Sequence, residues 1–371
     1  MRHGVIGAVV CLLAAGGWAT GQLPPVAQRH AVKQIISLDQ EQKIAFLLGV
    51  DQGGRVEFFS VPIYEIGSSG PPYTDRLVRR DQGEILEIGG TGSGDSTRLI
   101  ALLNTGKVFV FTVTPPSKTP TPLKELSEPE RILQSAEGFK KIRATPSHLI
   151  VQQGARSLVI FDAKEFAERQ RLQSTTPVTD FMVEGDRVIV QAHQDVTIFD
   201  LQGKVLAQLK RPSPPIGIGA FESGFFIYDE KTLLLLDRNG ARTSEVKMDQ
   251  PIKAVAAARE TIAVISGTQT LLLTHKGERI ASAMAGERLT SSANRFFLSQ
   301  GQEIWILDAT NGKRLKVITL RNQLENFTGL RRGLAIVVRQ RDTNRLIYAV
   351  YDEQGDQLSI GFLMEFQGPR P

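Results

Sequence analysis

The sequence has 371 residues, which exceeds the usual size of one domain unless a repeat architecture holds the chain together as one body. Its 44 Lys and Arg residues outnumber its 39 Asp and Glu residues by five. This mild excess is spread along the chain, which argues against the clustered basic stripe of a nucleic-acid-binding protein. The single cysteine, Cys11, lies in the predicted signal described next, so the mature chain would have no disulfides, thiolate catalysis or cysteine-ligated zinc.

Residues 1–21 have the features of an export signal. Arg2 precedes the apolar stretch 5–15, and small residues at 19–21 permit cleavage before Gln22. The apolar stretch is too short to span a membrane, and no later segment reaches the ~20 apolar residues of a transmembrane helix. We expect a periplasmic or secreted protein, and a mature chain without cysteine suits a bacterial periplasm better than a eukaryotic extracellular space.

The segment 303–317 contains the unit around which the chain is organised. The run 304–307 is apolar, includes β-branched and aromatic residues, and is too short for a buried helix. This favours a strand that is covered on both faces. Asp308 follows, and the turn closes on Asn311 and Gly312, which tolerate positive φ. We interpret Asp308 as a turn former rather than as an acid catalyst.

The same strand and turn recur along the chain at intervals of 34 to 44 residues. A second β-rich run lies upstream of each copy, and a less apolar strand lies before that. Four strands in a repeat of about 40 residues are typical of a β-propeller blade, because one such sheet cannot bury both of its faces alone. The residues that end the clearer copies are Asp162, Asp200, Asp237, Thr274, Asp308 and Asp352, and two divergent copies occupy 55–60 and 107–112.

We therefore predict an all-β fold, a single β-propeller of eight four-stranded blades over residues 22–371. Seven blades are the alternative, if the first or last copy only completes a shared closing blade. A β-sandwich would not need this periodicity, and a solenoid would repeat at shorter intervals. The segment 114–139 begins Pro-rich and becomes helix-compatible, and we interpret it as an insertion on one face of the ring. The polar stretch 163–173 is a smaller candidate insertion.

The search for chemical motifs assigns no catalytic, cofactor-binding or metal-binding residue. The glycine-rich segment 89–97 has the spacing of a phosphate loop, but Asp95 replaces the required Lys, so we expect an inter-strand loop. The histidines lie far apart in sequence, and no Gly-x-Ser-x-Gly elbow occurs. The recurring aspartates belong to separate blades, which is unsuited to the paired carboxylates of glycoside hydrolysis.

Three basic clusters are the best charged features. We interpret them as solvated surfaces, and the alternative is a patch that holds anionic lipid headgroups, polysaccharide or an acidic protein. The clusters are 76–80, 140–143, and Arg331 and Arg332 with Arg339 and Arg341.

The segment 307–315, with Asp308, Gly312 and Lys313, resembles the repeat of quinoprotein-like β-propellers of the PQQ-like or YVTN type. That repeat reads apolar-Asp-x-x-Thr-Gly-Lys-x-x-Trp, and the likeness extends loosely over residues 150–360. The resemblance implies a propeller. Quinoprotein dehydrogenases also carry a Trp after each Gly-Lys and adjacent cysteines against the quinone. Both are missing here, so we expect a non-catalytic member without a cofactor.

We expect the protein to be a scaffold or accessory subunit that binds a protein partner, similar in kind to periplasmic scaffold propellers of outer-membrane assembly. One alternative is a carbohydrate-active hydrolase or lyase, which would gather two or three acids and a His within about 5–9 Å at a channel mouth. A ligand-binding sensor would instead show a concave pocket lined by aromatic residues. The sequence predicts neither the identity of the partner, nor the face that binds it, nor the oligomeric state.

Overall fold

The computed structural model describes residues 30–38, 43–52, 54–67, 74–93, 96–113, 128–284 and 286–363. Within these residues, eight antiparallel sheets of four strands account for nearly all regular structure, and the one helical turn is the 3-10 turn Arg80–Gln82. None of the described helices could cross a membrane. The predicted signal, 1–21, lies outside the described residues.

Each sheet is one blade built from four strands that are consecutive in the chain. Blades 1 to 4 contain β1 (His30–Ser37), β2 (Lys43–Gln52), β3 (Arg55–Glu65), β4 (Thr74–Leu77), β5 (Ile85–Thr91), β6 (Arg98–Leu103), β7 (Val108–Thr112), β8 (Arg131–Leu133), β9 (Phe139–Ala144), β10 (His148–Gln153), β11 (Ser157–Asp162), β12 (Glu168–Gln173), β13 (Asp180–Glu184), β14 (Arg187–Ala192), β15 (Asp195–Asp200) and β16 (Val205–Lys210). Blades 5 to 8 contain β17 (Gly217–Phe221), β18 (Gly224–Tyr228), β19 (Thr232–Asp237), β20 (Arg242–Lys247), β21 (Ile252–Ala257), β22 (Thr261–Ser266), β23 (Gln269–Thr274), β24 (Arg279–Met284), β25 (Arg288–Ser291), β26 (Arg295–Gln300), β27 (Glu303–Asp308), β28 (Arg314–Thr319), β29 (Gln323–Leu330), β30 (Gly333–Arg339), β31 (Leu346–Asp352) and β32 (Gln357–Phe362).

The strands follow the same order in space and in sequence. The first strands of neighbouring blades contact one another and form the hub, and β29 of blade 8 contacts β1 of blade 1. The fourth strands therefore form the rim. Among the described residues each blade is complete in itself, so the predicted eight blades are confirmed and the ring closes by packing without a shared blade.

The apolar runs that marked the repeat form the third strand of each blade. In β27, Ile304 and Ile306 are fully buried and pack in the core between blades 7 and 8. Leu307, on the opposite face of the strand, packs in the core between blades 6 and 7. Because both faces of the strand are covered by neighbouring blades, the residues read as a continuous apolar run.

Both segments predicted as insertions contain a rim strand. The polar stretch 163–173 ends in β12, the rim strand of blade 3, so its interpretation as an insertion is wrong. Within 114–139, residues 131–133 form β8, the rim strand of blade 2, and the described part of that segment contains no helix. Residues 114–127 lie outside the described ranges. Rim strands bury few side chains, so they lack the apolar pattern that identifies inner strands.

Candidate functional site

The polar residues that end the third strands form turns, as predicted. In blade 4, Oδ1 of Asp200 accepts hydrogen bonds from the backbone N–H groups of Gln202 and Lys204 at 3.0 and 2.8 Å. Asp237 in blade 5 and the hydroxyl of Thr274 in blade 6 accept the corresponding pairs of bonds. The turns after the third strands share one end of the blades with the hairpins that join first and second strands. We call this side of the ring the turn face.

Two of these aspartates have lowered pKa values. The backbone N–H of Glu165 donates to the carboxylate of Asp162 at 2.7 Å and lowers its pKa. Burial alone would raise the pKa of Asp308, but hydrogen bonds from Thr310 and the guanidinium of Arg295 outweigh it, so that the net direction is downward. A carboxylate held in its charged form is a poor general acid near neutral pH, which agrees with a structural role.

In blades 4 to 8, the glycine of the turn after the third strand lies against the rim strand of the preceding blade. Gly240 has φ of +84°, and a Cβ at this position would lie 2.3 Å from the Cβ of Ala207 in β16. Gly312 has φ of +72°, and its Cβ would lie 2.6 Å from that of Ala281 in β24. A side chain would therefore force two blades apart. The same close approach occurs at Gly203, Gly277 and Gly355.

The junction between blade 8 and blade 1 departs from this packing. Gly67, in the loop after β3, would place a Cβ where no atom lies within 4 Å. Its backbone N–H donates to Oγ of Ser359 in β32 at 2.6 Å. Gly67 of blade 1 is thus linked to the rim strand of blade 8 by a hydrogen bond. A cleft of about 380 Å³ lies beside this junction on the turn face, and we call it the seam cleft.

The seam cleft has apolar walls and a charged edge. Its lining includes Ile66, Leu330 and Val350, and the hairpin between β29 and β30 contributes Arg331 and Arg332. Both arginine side chains are exposed. An apolar depression bordered by arginine is a common binding site for a side chain of a partner protein. The inserted apolar side chain is removed from water, and the arginines favour acidic residues of the partner beside it.

The acids at the seam cleft already have partners within the protein. Oδ1 of Asp352 accepts hydrogen bonds from two backbone N–H groups of its own turn. Glu353 accepts from the hydroxyl of Ser292 at 2.8 Å and from the side-chain amide of Asn294 at 3.0 Å. Burial raises the pKa of Tyr351, so its phenol stays neutral. Tyr351 is the one aromatic residue among the described lining, unlike the aromatic pocket expected of a sensor.

Charged residues at the hub connect blades 2, 3 and 4. Arg143 lies between two carboxylates, with Nη1 at 2.5 Å from Oε1 of Glu87 and Nη2 at 3.6 Å from Oδ1 of Asp180. Lys141 pairs with Asp180 at 2.7 Å, and the backbone N–H of Ile142 donates to Glu87 at 2.9 Å. This arrangement contains two acids bound by two cations and no histidine, so it stabilises neighbouring blades rather than resembling a glycosidase centre.

Uncharged side chains make similar links elsewhere in the hub. The amide of Gln34 donates to the backbone C=O of Ile88 in blade 2 and accepts from the N–H of the same residue, at 3.0 and 2.8 Å. The amide of Asn326 in blade 8 donates to the C=O of Lys33 in blade 1 at 3.3 Å. Sequence reasoning missed these links, because amides in the mixed polar and apolar first strands read as ordinary surface residues.

The predicted basic clusters do not form three solvated surfaces. Arg339 is only 7% exposed, so the prediction that it belongs to a solvated surface cluster is wrong. Its Nε donates to Glu325 at 2.5 Å and its Nη2 to the C=O of His30 in blade 1 at 2.6 Å, which helps to close the ring. Lys141 and Arg143 belong to the hub pairs. The side chains of residues 76 and 80 lie outside the described part.

The glycine-rich segment 89–97 is only partly a loop. Gly89 and Gly90 belong to β5, and a Cβ at Gly90 would lie 2.7 Å from the backbone of Leu38 in blade 1. These glycines permit close approach at the hub, and residues 94 and 95 of the following loop are outside the described ranges. Among the described residues, no group of three or more His, Cys, Asp or Glu could hold a metal ion. The described histidines are in different blades: His30, His148, His193 and His275.

The chain matches no known family model and no curated protein. It is similar in structure to BamB from Moraxella catarrhalis, at 14% identity and a TM-score of 0.51, over 74% of this chain and 87% of that one. It is also similar to Sqt1 from Saccharomyces cerevisiae, at 12% identity and a TM-score of 0.61, over 91% and 97% of the two chains. The computationally designed protein Ika8 matches at 12% identity and a TM-score of 0.58, over 90% and 97%. These likenesses show the β-propeller fold.

Proposed function

We propose that this protein is an exported, non-catalytic scaffold that binds a protein partner at the seam cleft of its turn face. The observation that carries the proposal is the combination of an open apolar cleft with exposed Arg331 and Arg332 at its edge. The repeated acids support a non-catalytic role, since Asp200 and Asp352 are committed to backbone hydrogen bonds within their turns.

The chemistry of the cleft indicates the kind of partner. A volume of about 380 Å³ accommodates one or two side chains, and the walls contributed by Ile66, Leu330 and Val350 favour apolar ones. The two arginines favour carboxylates beside the anchor, because guanidinium groups form paired hydrogen bonds with them. The expected ligand is therefore a protein segment with an apolar anchor flanked by Asp or Glu.

Capture of the tagged protein from its native cells tests this proposal when it is done with matched variants. The double variant Arg331→Glu and Arg332→Glu reverses the charge at the cleft. Arg341→Glu reverses an exposed arginine on the same blade, in the loop after β30 at the opposite end. We expect one protein to copurify in stoichiometric amount with the parent and with Arg341→Glu, and to be lost with the double variant. A partner retained by the double variant would refute the site.

The export part of the proposal has a separate test. The pattern of residues 1–21 supports cleavage before Gln22. The mass and N-terminal sequence of the protein recovered from native cells should therefore correspond to a chain that begins at Gln22 and is found outside the cytoplasm. Recovery of a cytoplasmic chain that retains residues 1–21 would contradict export and would leave the partner site to be judged by its own experiment.

A further inference from the structure

The rim strand of blade 8 differs in composition from the other rim strands. β32 has the sequence Gln-Leu-Ser-Ile-Gly-Phe and carries no charged residue, whereas each of the other seven described rim strands contains at least one. Even the three-residue β8 includes Arg131. Charged residues on an open edge oppose pairing with another strand. β32 lacks this protection.

The exposed side chains of β32 are apolar. Leu358, Ile360 and Phe362 are 46%, 48% and 54% exposed, so one strand holds three of the large exposed hydrophobic residues in the described part of the chain. Ile360 and Phe362 point to the same face, whereas Leu358 lies at a bulge and lines the seam cleft. The intervening Ser359 is buried, and a Cβ on Gly361 would meet the ring of the buried Tyr348. The strand is thus anchored on one face and open on the other.

The free backbone groups of β32 are directed outward. The N–H of Leu363 donates to the C=O of Leu346 at 2.9 Å, and Ile360 is paired with Ala349. Because residues of an antiparallel strand alternate in the direction of their N–H and C=O groups, those of Ile360 point away from β31. They point toward the rim, where they can pair with another strand, whereas the C=O of Phe362 accepts a hydrogen bond from the hydroxyl of Tyr64 in blade 1 at 3.1 Å.

We propose that β32 pairs antiparallel with β32 of a second copy of this chain, around a two-fold axis at Ile360. In this register Ile360 lies opposite the partner's Ile360, and its outward N–H and C=O form two hydrogen bonds with the same groups of the partner. The side chains of Ile360 and Phe362 share the exposed face of the strand, so the pair at the axis is apolar and Phe362 lies beside it.

The composition of β32 favours a second copy over another occupant. Ile360 faces its own copy at the axis, Ser359 meets the partner's small Gly361, and no charged residue of either strand enters the contact. In a homodimer with two-fold symmetry, the same strand lies opposite itself, so a charged rim strand would bring like charges together. β32 is the rim strand that avoids this repulsion, because it has no charge to repel.

Sedimentation velocity over a concentration series tests the dimer. We expect the parent protein to dimerise through β32, and Ile360→Lys to raise the dimer dissociation constant at least about tenfold, because two lysines would face each other at the axis. Leu315→Lys is the matched control, since Leu315 is 43% exposed on β28, the rim strand of blade 7. It should dimerise like the parent. A monomeric parent, or an Ile360→Lys variant that dimerises normally, would overturn the proposal.

Mixing opposite charges tests the register. Ile360→Glu alone should also be monomeric, and an equimolar mixture with Ile360→Lys should form a one-to-one heterodimer. Failure of this mixture to associate would refute pairing at Ile360. Hydrogen exchange of the parent protein provides a test without variants. The amide of Ile360 should exchange more slowly as protein concentration rises, and concentration-independent exchange would overturn the proposal. Ile360 does not line the seam cleft, although Leu358 of the same strand does, so the dimer is assayed on the purified protein without the captured partner.

Discussion

Replacing Gly240 by Ala tests whether the turn glycine sets the spacing between blades. The substitution places a side chain at φ of +84° and brings its Cβ to 2.3 Å from the Cβ of Ala207 in the neighbouring blade. The positive φ costs about 1 kcal/mol. Overpacking against a fixed Cβ adds about 1–3 kcal/mol. We expect Gly240→Ala to lower the free energy of unfolding by about 2–4 kcal/mol.

Two further variants separate these causes. Gly301 has φ of +56°, but a Cβ added there would have no atom within 4 Å, so Gly301→Ala should cost only about 1 kcal/mol. Ala207→Gly removes the opposing Cβ. In its background, Gly240→Ala should also cost only about 1 kcal/mol, since Ile198, the other close neighbour, can move the end of its side chain.

Urea unfolding followed by far-UV circular dichroism measures each variant. The reasoning predicts a coupling energy of about 1–3 kcal/mol between positions 207 and 240. It is refuted if Gly240→Ala and Gly301→Ala are equally destabilising, or if Gly240→Ala costs as much with Gly at position 207 as with Ala.

Three other predictions concern the polar contacts. Asp200→Ala should lower the free energy of unfolding in urea by about 1–2 kcal/mol, because two backbone N–H groups lose their acceptor. Asp200→Asn keeps an oxygen there and should lower it by under about 0.5 kcal/mol. Equal losses of stability would contradict the role of Asp200 in the turn. Asp308 has a pKa below its usual 3.8, so its contribution to stability is present above pH 3.8 and is lost as pH falls through the lowered value. Asp308→Asn should show a shallower loss of stability below pH 3.8 than the parent, and parallel curves would disprove the linkage. Arg143→Met should lower the free energy of unfolding by about 1–3 kcal/mol, because it leaves Glu87 and Asp180 without their shared cation at the part-buried hub. Glu87→Gln should be less destabilising, since its amide oxygen still accepts a hydrogen bond from the N–H of Ile142. If thermal unfolding shows the reverse order, the role of the hub network is contradicted.

The fold was predictable because its main determinants are local in sequence. The third strands are covered on both faces, so runs such as 304–307 are uninterrupted and apolar, and a polar residue such as Asp200 begins each turn. Counting these apolar runs with their turn residues predicted the number of blades. Rim strands such as β12 escaped prediction because an exposed edge tolerates charged residues and leaves no periodic pattern.

The contacts between blades were not predictable from the same patterns. The sequence marks Gly240 as a turn residue, but its approach to Ala207 depends on how two separate blades pack. Arg339 reads as a surface charge beside other arginines, and its partners include the backbone of His30, which is 309 residues away in the chain. Such contacts have no local signature.

The seam cleft escaped prediction for a related reason. It lies where the first and last blades meet, beside the hydrogen bond between Gly67 and Ser359. A cleft formed by residues of two blades that are distant in sequence cannot be recognised from the repeat itself. Arg331 and Arg332 were noted as charged, but their position beside an apolar cleft required the three-dimensional arrangement.

A structure of the protein bound to the partner captured from its native cells would test the central proposal most directly. We predict that an apolar side chain of the partner fills the seam cleft and that its acidic residues contact Arg331 and Arg332. A partner bound at the opposite end of the blades, with the cleft empty, would contradict the proposal.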